Sequence, residues 1–208
     1  MKKTHLLCVL AVMGAAAGCS ALLPSAPAPV YYQIQIPEAA VPLCPSGKAQ
    51  PLRVWALDSA PPYDRTELIL KRDPNIVELS SRHRWISPPS EMTAQAIVEA
   101  ASQARVFPIV NRPGSPGFAP ELHLGGRIRE FAFHFNEGHG EAVLDVRVIV
   151  WREAKPKKLL FQKIYRIKES TTGGTSPEEL TQAMNRAVTQ WVGELTRDLC
   201  QAPLDTNT

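Results

Sequence analysis

The stretch ELHLGGRIREFAFHFNEGHGEAVLDVRVIVW, residues 121–151, has the clearest strand pattern in the chain. Its apolar side chains occupy even-numbered positions from Leu122 to Ile128 and odd-numbered positions from Phe131 to Phe135. Successive side chains of a strand point to opposite faces, so a change of parity requires one extra residue in the ladder. We therefore predict a β-bulge near Arg129–Glu130. Three aromatic side chains are predicted to form core beneath a helix, with a hydrophobic contact surface or lipid-facing groove as the alternative: Phe131, Phe133 and Phe135.

Two helices are predicted from their capping residues and apolar periodicity. The later helix begins after Ser176, with a proline at its first position and Glu179 completing a capping box. Its apolar stripe is centred on Trp191, which we expect to be buried against a sheet. The earlier helix is predicted from Pro88 to about Arg105, with Ser87 as its N-cap.

Shorter strand patterns surround these elements. Further strands are predicted at residues 31–36, 52–57, 66–71, 76–79, 106–110 and 159–167. The segments 66–71 and 76–79 enclose a tetrad of turn-forming residues and are predicted to form a hairpin. Together the patterns predict an α/β (α+β) sandwich, in which two helices pack on a mostly antiparallel sheet of six or seven strands.

The N-terminus has the pattern of an export signal. Lys2 and Lys3 precede an uncharged apolar run over residues 6–17. Such a run makes about 18 Å of helix, too short for a hydrocarbon core of about 30 Å. Residues 1–18 are therefore predicted to be a signal peptide. The following Ala-Ala-Gly-Cys, residues 16–19, resembles the bacterial lipobox. The alternative is ordinary secretory cleavage that leaves the thiol unmodified.

Lipidation at Cys19 would anchor the mature chain, because two or more acyl chains hold a protein stably on a membrane. Ser20 follows the lipidated position, and by resemblance to Gram-negative lipoproteins this residue implies sorting to the outer membrane. Residues 19–30 are rich in proline and are predicted to be a semi-extended tether. At about 3.1 Å per residue the tether reaches at most roughly 34 Å.

Two cysteines remain after processing, namely Cys44 and Cys200. A periplasmic compartment is oxidising, so we predict that these two form a disulfide, with two unpaired thiols as the alternative. Neither belongs to a Cys-x-x-Cys motif, which argues against a redox enzyme.

Charge and motif content argue against nucleic-acid binding and catalysis. From Cys19 onward the chain has 21 basic and 20 acidic residues, which leaves no basic stripe to neutralise phosphates. The sequence has no phosphate-binding loop, no nucleophile elbow and no His-Glu-x-x-His motif. His134 and His139 flank a predicted turn without metal-ligand spacing, so no metal or other cofactor is predicted. The basic segment Arg82-His83-Arg84-Trp85 is predicted to be solvated or to contact a partner or ligand.

Several short motifs resemble a known family. They are Tyr31-Tyr32, APPYDRT at 60–66, RHRW at 82–85 with Pro88-Pro89, and Leu124-Gly125-Gly126 followed by Ile128 and Glu130-Phe131. In their order along the chain they resemble the ABC-type transport auxiliary lipoproteins, which include the paraquat-inducible protein C type. The resemblance extends from about Tyr31 to Cys200. Within these motifs, the candidate contacts with a partner or lipid are Tyr63, Arg84 and Trp85.

The resemblance implies an accessory subunit of a mammalian-cell-entry-type lipid transporter, without catalytic residues. Its partners would be a periplasmic lipid-binding protein and an ABC transporter made of a permease and an ATPase. The expected organisation is signal peptide, tether, one domain over residues 31–200 and a flexible tail over 201–208. Self-association remains open.

Three other functions are alternatives. A periplasmic lipid carrier would need a large apolar pocket. An envelope structural lipoprotein would have no transport partner. A hydrolase would need a catalytic constellation that the sequence does not offer.

Overall fold

The structure is a computed structural model that describes residues 27–38, 40–115, 120–136 and 138–204. The predicted signal peptide, Cys19, Ser20 and most of the tether lie outside these residues, as do residues 205–208 of the predicted tail. In the described ranges, no helix combines the length and the apolar character needed to span a bilayer.

Nine strands and two helices make up the described fold. The strands are β1 Val30–Tyr32, β2 Leu52–Val54, β3 Asp58–Ser59, β4 Glu67–Asp73, β5 Ile76–Trp85, β6 Val110–Asn111, β7 Leu122–Asn136, β8 His139–Arg152 and β9 Lys158–Ser170. The helices are α1 Pro89–Gln103 and α2 Pro177–Gln201.

All nine strands belong to one mixed sheet organised around β7. One edge of β7 pairs in turn with β2, β3 and β4, all parallel to it, and the other edge pairs with antiparallel β8. β5 extends the sheet beyond β4, and β9 extends it beyond β8. Five of the eight strand pairings are parallel, so the expected six or seven mostly antiparallel strands need correction. Side-chain alternation predicts that a segment is a strand, but it carries no information about the direction of its neighbour.

The predicted β-bulge is confirmed at Arg129. Ile128 pairs with Val146 and Glu130 pairs with Asp145, which leaves Arg129 as the extra residue. As a result, Ile128 and Phe131 both point towards the helices and are almost fully buried. The bulge therefore lets one long strand contribute apolar side chains to the core along most of its length.

The core lies between the two helices and one face of the sheet. β8 supplies a continuous inward row in which no member is exposed: Ala142, Leu144, Val146, Val148 and Val150. α2 covers this row, and Trp191 at the centre of its apolar stripe is fully buried, as predicted. Phe131 and Phe133 are also core, whereas Phe135 is half-buried at its margin.

The helix starts follow the proline positions. In α2 the Ser176 hydroxyl accepts a hydrogen bond from the Glu179 backbone N–H at 3.3 Å, which confirms the predicted cap. The predicted start of α1 is wrong by one residue, because Pro88 is the N-cap and Ser87 lies outside the helix. Pro88 precedes another proline, and that neighbour disfavours helical geometry at Pro88, which is extended with ψ of 146°.

The two cysteines of the folded domain form a disulfide between the loop before β2 and the last turn of α2. The Cα atoms of Cys44 and Cys200 are 5.8 Å apart. The packed domain continues beyond this point, because Leu204 is fully buried and its carbonyl accepts a hydrogen bond from Arg152 at 2.9 Å. Residues 201–204, expected to be part of a flexible tail, therefore belong to the packed domain.

The short strands differ most from their predictions. β1 ends at Tyr32 rather than at residue 36, since the backbone N–H of Gln35 donates to Asn185 of α2 at 2.8 Å instead of to a strand. β5 extends to Trp85, so the basic segment 82–85 is the end of a strand, with Arg82 exposed and Trp85 buried.

Candidate interaction surface

Trp85, a candidate contact with a partner or lipid, is instead buried in the structure. Its side chain is 2% exposed and lies in the core on the helix-covered face of the sheet. The indole packs edge-on against Phe131 at 5.4 Å between ring centroids and stacks near Phe133 at 6.3 Å. Sequence reasoning missed this because three basic neighbours suggested solvent, although alternate strand residues point to opposite faces.

The other two predicted contacts lie apart from Trp85. Arg84 precedes it in β5 and so points to the opposite face, where its guanidinium lies 3.7 Å from a Glu67 carboxylate oxygen. Tyr63 is buried, with its hydroxyl 3.5 Å from Glu130 Oε1. The three predicted residues therefore do not form one site, and only Arg84 among them is partly exposed.

Tyr63 belongs to a polar cluster built around one carboxylate. Glu130 Oε1 accepts hydrogen bonds from Lys71 Nζ at 2.6 Å and from His134 Nε2 at 2.8 Å. Burial opposes ionisation of Glu130, but these hydrogen bonds outweigh it and hold the pKa of the carboxyl below its ordinary value. The cluster joins β4 to β7 through these hydrogen bonds.

Three rings form a second cluster on the face of the sheet that no helix covers, namely Trp55, His123 and Trp151. The Trp55 indole N–H donates to His123 Nδ1 at 3.0 Å. The His123 ring stacks on Trp151 with centroids 5.4 Å apart and an interplanar angle of 15°. Because Nδ1 accepts this bond, the neutral ring carries its proton on Nε2. Burial lowers the pKa of His123, which favours this neutral form.

These rings form a row that runs from Trp55, directly after β2, across β7, β8 and β9, with its two ends exposed. Trp151 pairs with His123 of β7 on one side and with Leu159 of β9 on the other. Trp55 is 41% exposed and Leu159 is 57% exposed, although both are large apolar side chains. We call Trp55, His123, Trp151 and Leu159 the aromatic row. An exposed apolar surface of this kind commonly marks an interaction site.

Gly125 leaves space for the Trp151 ring of the aromatic row. A side chain at Gly125 would begin 3.2 Å from the Trp151 ring, so the indole lies directly over this backbone. The sequence contained a signal for the row, because Trp55 and Trp151 occupy positions of the outward, polar parity in their strands. The cross-strand register that brings them together could not be read from either segment alone.

Arginines border the aromatic row on the same face. Arg127 of β7 and Arg147 of β8 are direct cross-strand partners, an arrangement that places like charges side by side. Arg127 lies 3.5 Å from an Asp58 carboxylate oxygen, whereas Arg147 donates to the neutral Gln162 at 2.6 Å. Exposed tryptophan next to arginine is the composition of protein–protein hot spots.

The surface depressions near the helices do not resemble a lipid pocket. One of about 640 Å³ is lined partly by Gln33, Glu99 and Asn185. Another of about 590 Å³ includes Lys48 and Arg105 in its lining. A site for acyl chains is lined mainly by apolar side chains, so these depressions do not favour the lipid-carrier alternative.

Solved structures with a similar fold are known. Protein XCC0632 from Xanthomonas campestris has 15% sequence identity and a TM-score of 0.71, with 80% of this chain and 92% of that chain covered. An uncharacterized protein has 12% identity and a TM-score of 0.64, with 83% and 99% covered. At these identities the likeness shows a shared fold. None of the curated proteins compared with the chain matches it.

The family comparison is more informative about function. The family model described as "ABC-type transport auxiliary lipoprotein component" matches residues 32–196. This range includes β2 to β9, all of α1 and all but the last five residues of α2. The predicted resemblance to this family is thereby confirmed at the level of the family as a whole. The chain belongs to the ABC-type transport auxiliary lipoproteins, envelope proteins associated with an ABC-type transport system.

Proposed function

We propose that this chain is a non-enzymatic lipoprotein that docks a mammalian-cell-entry-type lipid transporter from the periplasmic face of the outer membrane. Cys19 carries the lipid anchor, and Ser20 directs the chain to the outer membrane. The membership of the auxiliary lipoprotein family supports the association with transport. The lipobox-like residues 16–19 and the motifs of the paraquat-inducible protein C type support the finer details.

The aromatic row is the observation that carries the docking role. β1 runs parallel to β5, so its N-terminal end points towards the β4–β5 turn. That turn lies near the C-terminal end of β7, since Lys71 pairs beside His134. The aromatic row lies at the opposite end, where β7 begins. A chain tethered through its N-terminus therefore presents this row at the end of the sheet remote from the tether.

The chemistry of this surface favours a protein partner with acidic groups near an apolar contact. The exposed indole of Trp55 offers a large, rigid contact area, and Leu159 extends it. The neighbouring pair Arg127 and Arg147 leaves a cationic border that carboxylates of the partner would complement. The periplasmic lipid-binding protein of the transporter is the proposed partner.

A binding measurement tests this function. The lipidated chain is immobilised in detergent, and binding of the mammalian-cell-entry-type protein from the same genome is measured. We expect Trp55→Ala to weaken binding by at least about tenfold, the effect of losing an interfacial hot spot. Ile86→Ala is the matched control, because Ile86 is an exposed apolar residue outside the row at 58% exposure. Equal binding by both variants, with unchanged melting temperatures, would refute the docking surface.

A further inference from the structure

The tip of the β4–β5 hairpin exposes three apolar side chains at the end of the sheet opposite the aromatic row. Ile76 is 54% exposed, and Val77 and Leu79 are each 42% exposed. We call residues 72–79 the hairpin tip. These residues are the first of β5, directly after the turn at Pro74-Asn75, and residues 72–79 are exposed on both faces of the hairpin. Three exposed apolar side chains at such a projecting end are unusual for a surface that contacts only water.

The domain end of the tether, at Val30, is fixed on β5. Val30 and Tyr32 pair with His83 and Trp85 at the far end of β5. The Tyr32 hydroxyl donates to Glu178 Oε1 at 2.9 Å and lies 2.8 Å from His83 Nδ1, which ties β1 to both β5 and α2. The point at which the tether joins the domain is therefore held at a defined distance from the hairpin tip.

The lengths of the two segments bring the anchor and the hairpin tip to a similar level. From His83 back to Ile76 there are seven residues of β5, about 23 Å at the usual strand rise. From Val30 back to Cys19 there are eleven residues, about 34 Å in the polyproline II geometry of a proline-rich tether. Since β1 points towards the β4–β5 turn, an extended tether ends only about 11 Å beyond the hairpin tip by the same arithmetic. A tether that is less than fully extended brings Cys19 to the level of the hairpin tip.

We propose that the hairpin tip contacts the surface of the bilayer in which Cys19 is anchored, as a second membrane contact of the domain. This inference rests on the proposed lipidation. The apolar side chains would enter the boundary between head groups and acyl chains, where short apolar elements bind. Arg72 at the base of the tip, 3.3 Å from Glu78 and stacked 4.6 Å over the Phe135 ring, would lie at head-group level.

Two attachments would orient the domain where one tether cannot. The acyl chains raise the local concentration of the hairpin at the membrane, so a contact too weak to bind alone becomes populated. With the hairpin tip on the bilayer, the aromatic row at the other end of the sheet points away from that membrane. The second contact thus deepens the proposed function by fixing the direction in which the docking surface faces.

Site-specific fluorescence tests the proposal in the full lipidated chain. A single cysteine is introduced by Ile76→Cys, labelled with an environment-sensitive dye, and the protein is reconstituted into phosphatidylethanolamine–phosphatidylglycerol vesicles. Leu159→Cys is the matched control, because Leu159 is equally exposed and lies in the aromatic row. We expect a blue shift at position 76 and a loss of its fluorescence when the vesicles contain lipids with quenchers on their acyl chains. Position 159 should show neither change.

The outcomes separate this inference from the anchor itself. Mass spectrometry shows whether Cys19 carries lipid. If it does and position 76 is not quenched, the membrane contact of the hairpin tip is refuted while the anchor stands. Equal quenching at positions 76 and 159 would overturn it as well, because the domain would then lie flat. A blue shift at position 76 without quenching by lipid would show that protein covers the hairpin tip, and would also refute the proposal. A Cys19 without lipid would overturn both the anchor and the second contact.

Discussion

Truncation of Trp191 should destabilise the domain strongly while leaving its surface chemistry unchanged. The side chain is fully buried between α2 and the sheet. A buried Trp removes about 150–250 Å² from water, worth about 4–6 kcal/mol at 25 cal/mol per Å². The Trp191 indole N–H has no hydrogen-bond partner among the described residues, and deleting it removes a cost of about 1–3 kcal/mol. The net loss for Trp191→Ala should therefore be about 3 kcal/mol.

Thermal unfolding measures this loss directly. For a domain of this size, about 3 kcal/mol lowers the melting temperature by roughly 6–12 °C. Trp191→Phe is the informative control, since it keeps most of the apolar contact and also removes the unpartnered N–H, so its melting temperature should stay close to that of the parent. Gln190→Ala, on the exposed side of α2, should shift stability by less than about 0.5 kcal/mol. A Trp191→Ala protein that melts like the parent but loses its partner would refute the burial argument and make α2 a docking helix.

Three further predictions follow from the packing and the protonation chemistry. Non-reducing peptide mapping should yield one linked peptide containing Cys44 and Cys200, and reduction should destabilise the domain by about 2–5 kcal/mol; two freely alkylated thiols in native extract would contradict this. Gly126→Ala should lower the free energy of unfolding, measured by chemical denaturation, by about 3 kcal/mol, because the new methyl group would collide with a backbone carbonyl of β8. Gly125→Ala should lower it less, because the methyl group there meets the Trp151 side chain, which can move. His123 has a lowered pKa when folded, so the unfolded chain takes up the proton first and stability should fall as the pH drops below about 6.5. His123→Phe should flatten that part of the stability profile, and an unchanged slope would refute the assignment.

The long periodic elements could be predicted from the sequence because many residues repeat one pattern. The parity change between Ile128 and Phe131 located the bulge at Arg129, and a 25-residue apolar stripe located α2 with its Ser176 cap. In both cases local pattern and tertiary packing agree, which is the condition under which sequence reasoning works. The burial of Trp191 followed from the same stripe.

The interaction surface could not be predicted in the same way, because it is formed by register between distant strands. Trp55 and His123 are 68 residues apart, and only the pairing of β2 with β7 brings them together. Arg84 and Trp85 were grouped as contacts because they are adjacent in the sequence, yet strand geometry places them on opposite faces. Parallel pairing of the two-residue and three-residue strands along β7 likewise depends on tertiary context rather than on their own side chains.

Membrane fractionation of cells that produce the full chain is the most direct test of the central claim that this is a lipid-anchored outer-membrane lipoprotein. The unchanged chain should sediment with the outer membrane. Cys19→Ala should be absent from that fraction, because the tether then has no acyl chains to hold it on the membrane. Ser20→Asp should shift the chain towards the inner membrane. Retention of Cys19→Ala in the outer-membrane fraction would place the anchor elsewhere and contradict the account.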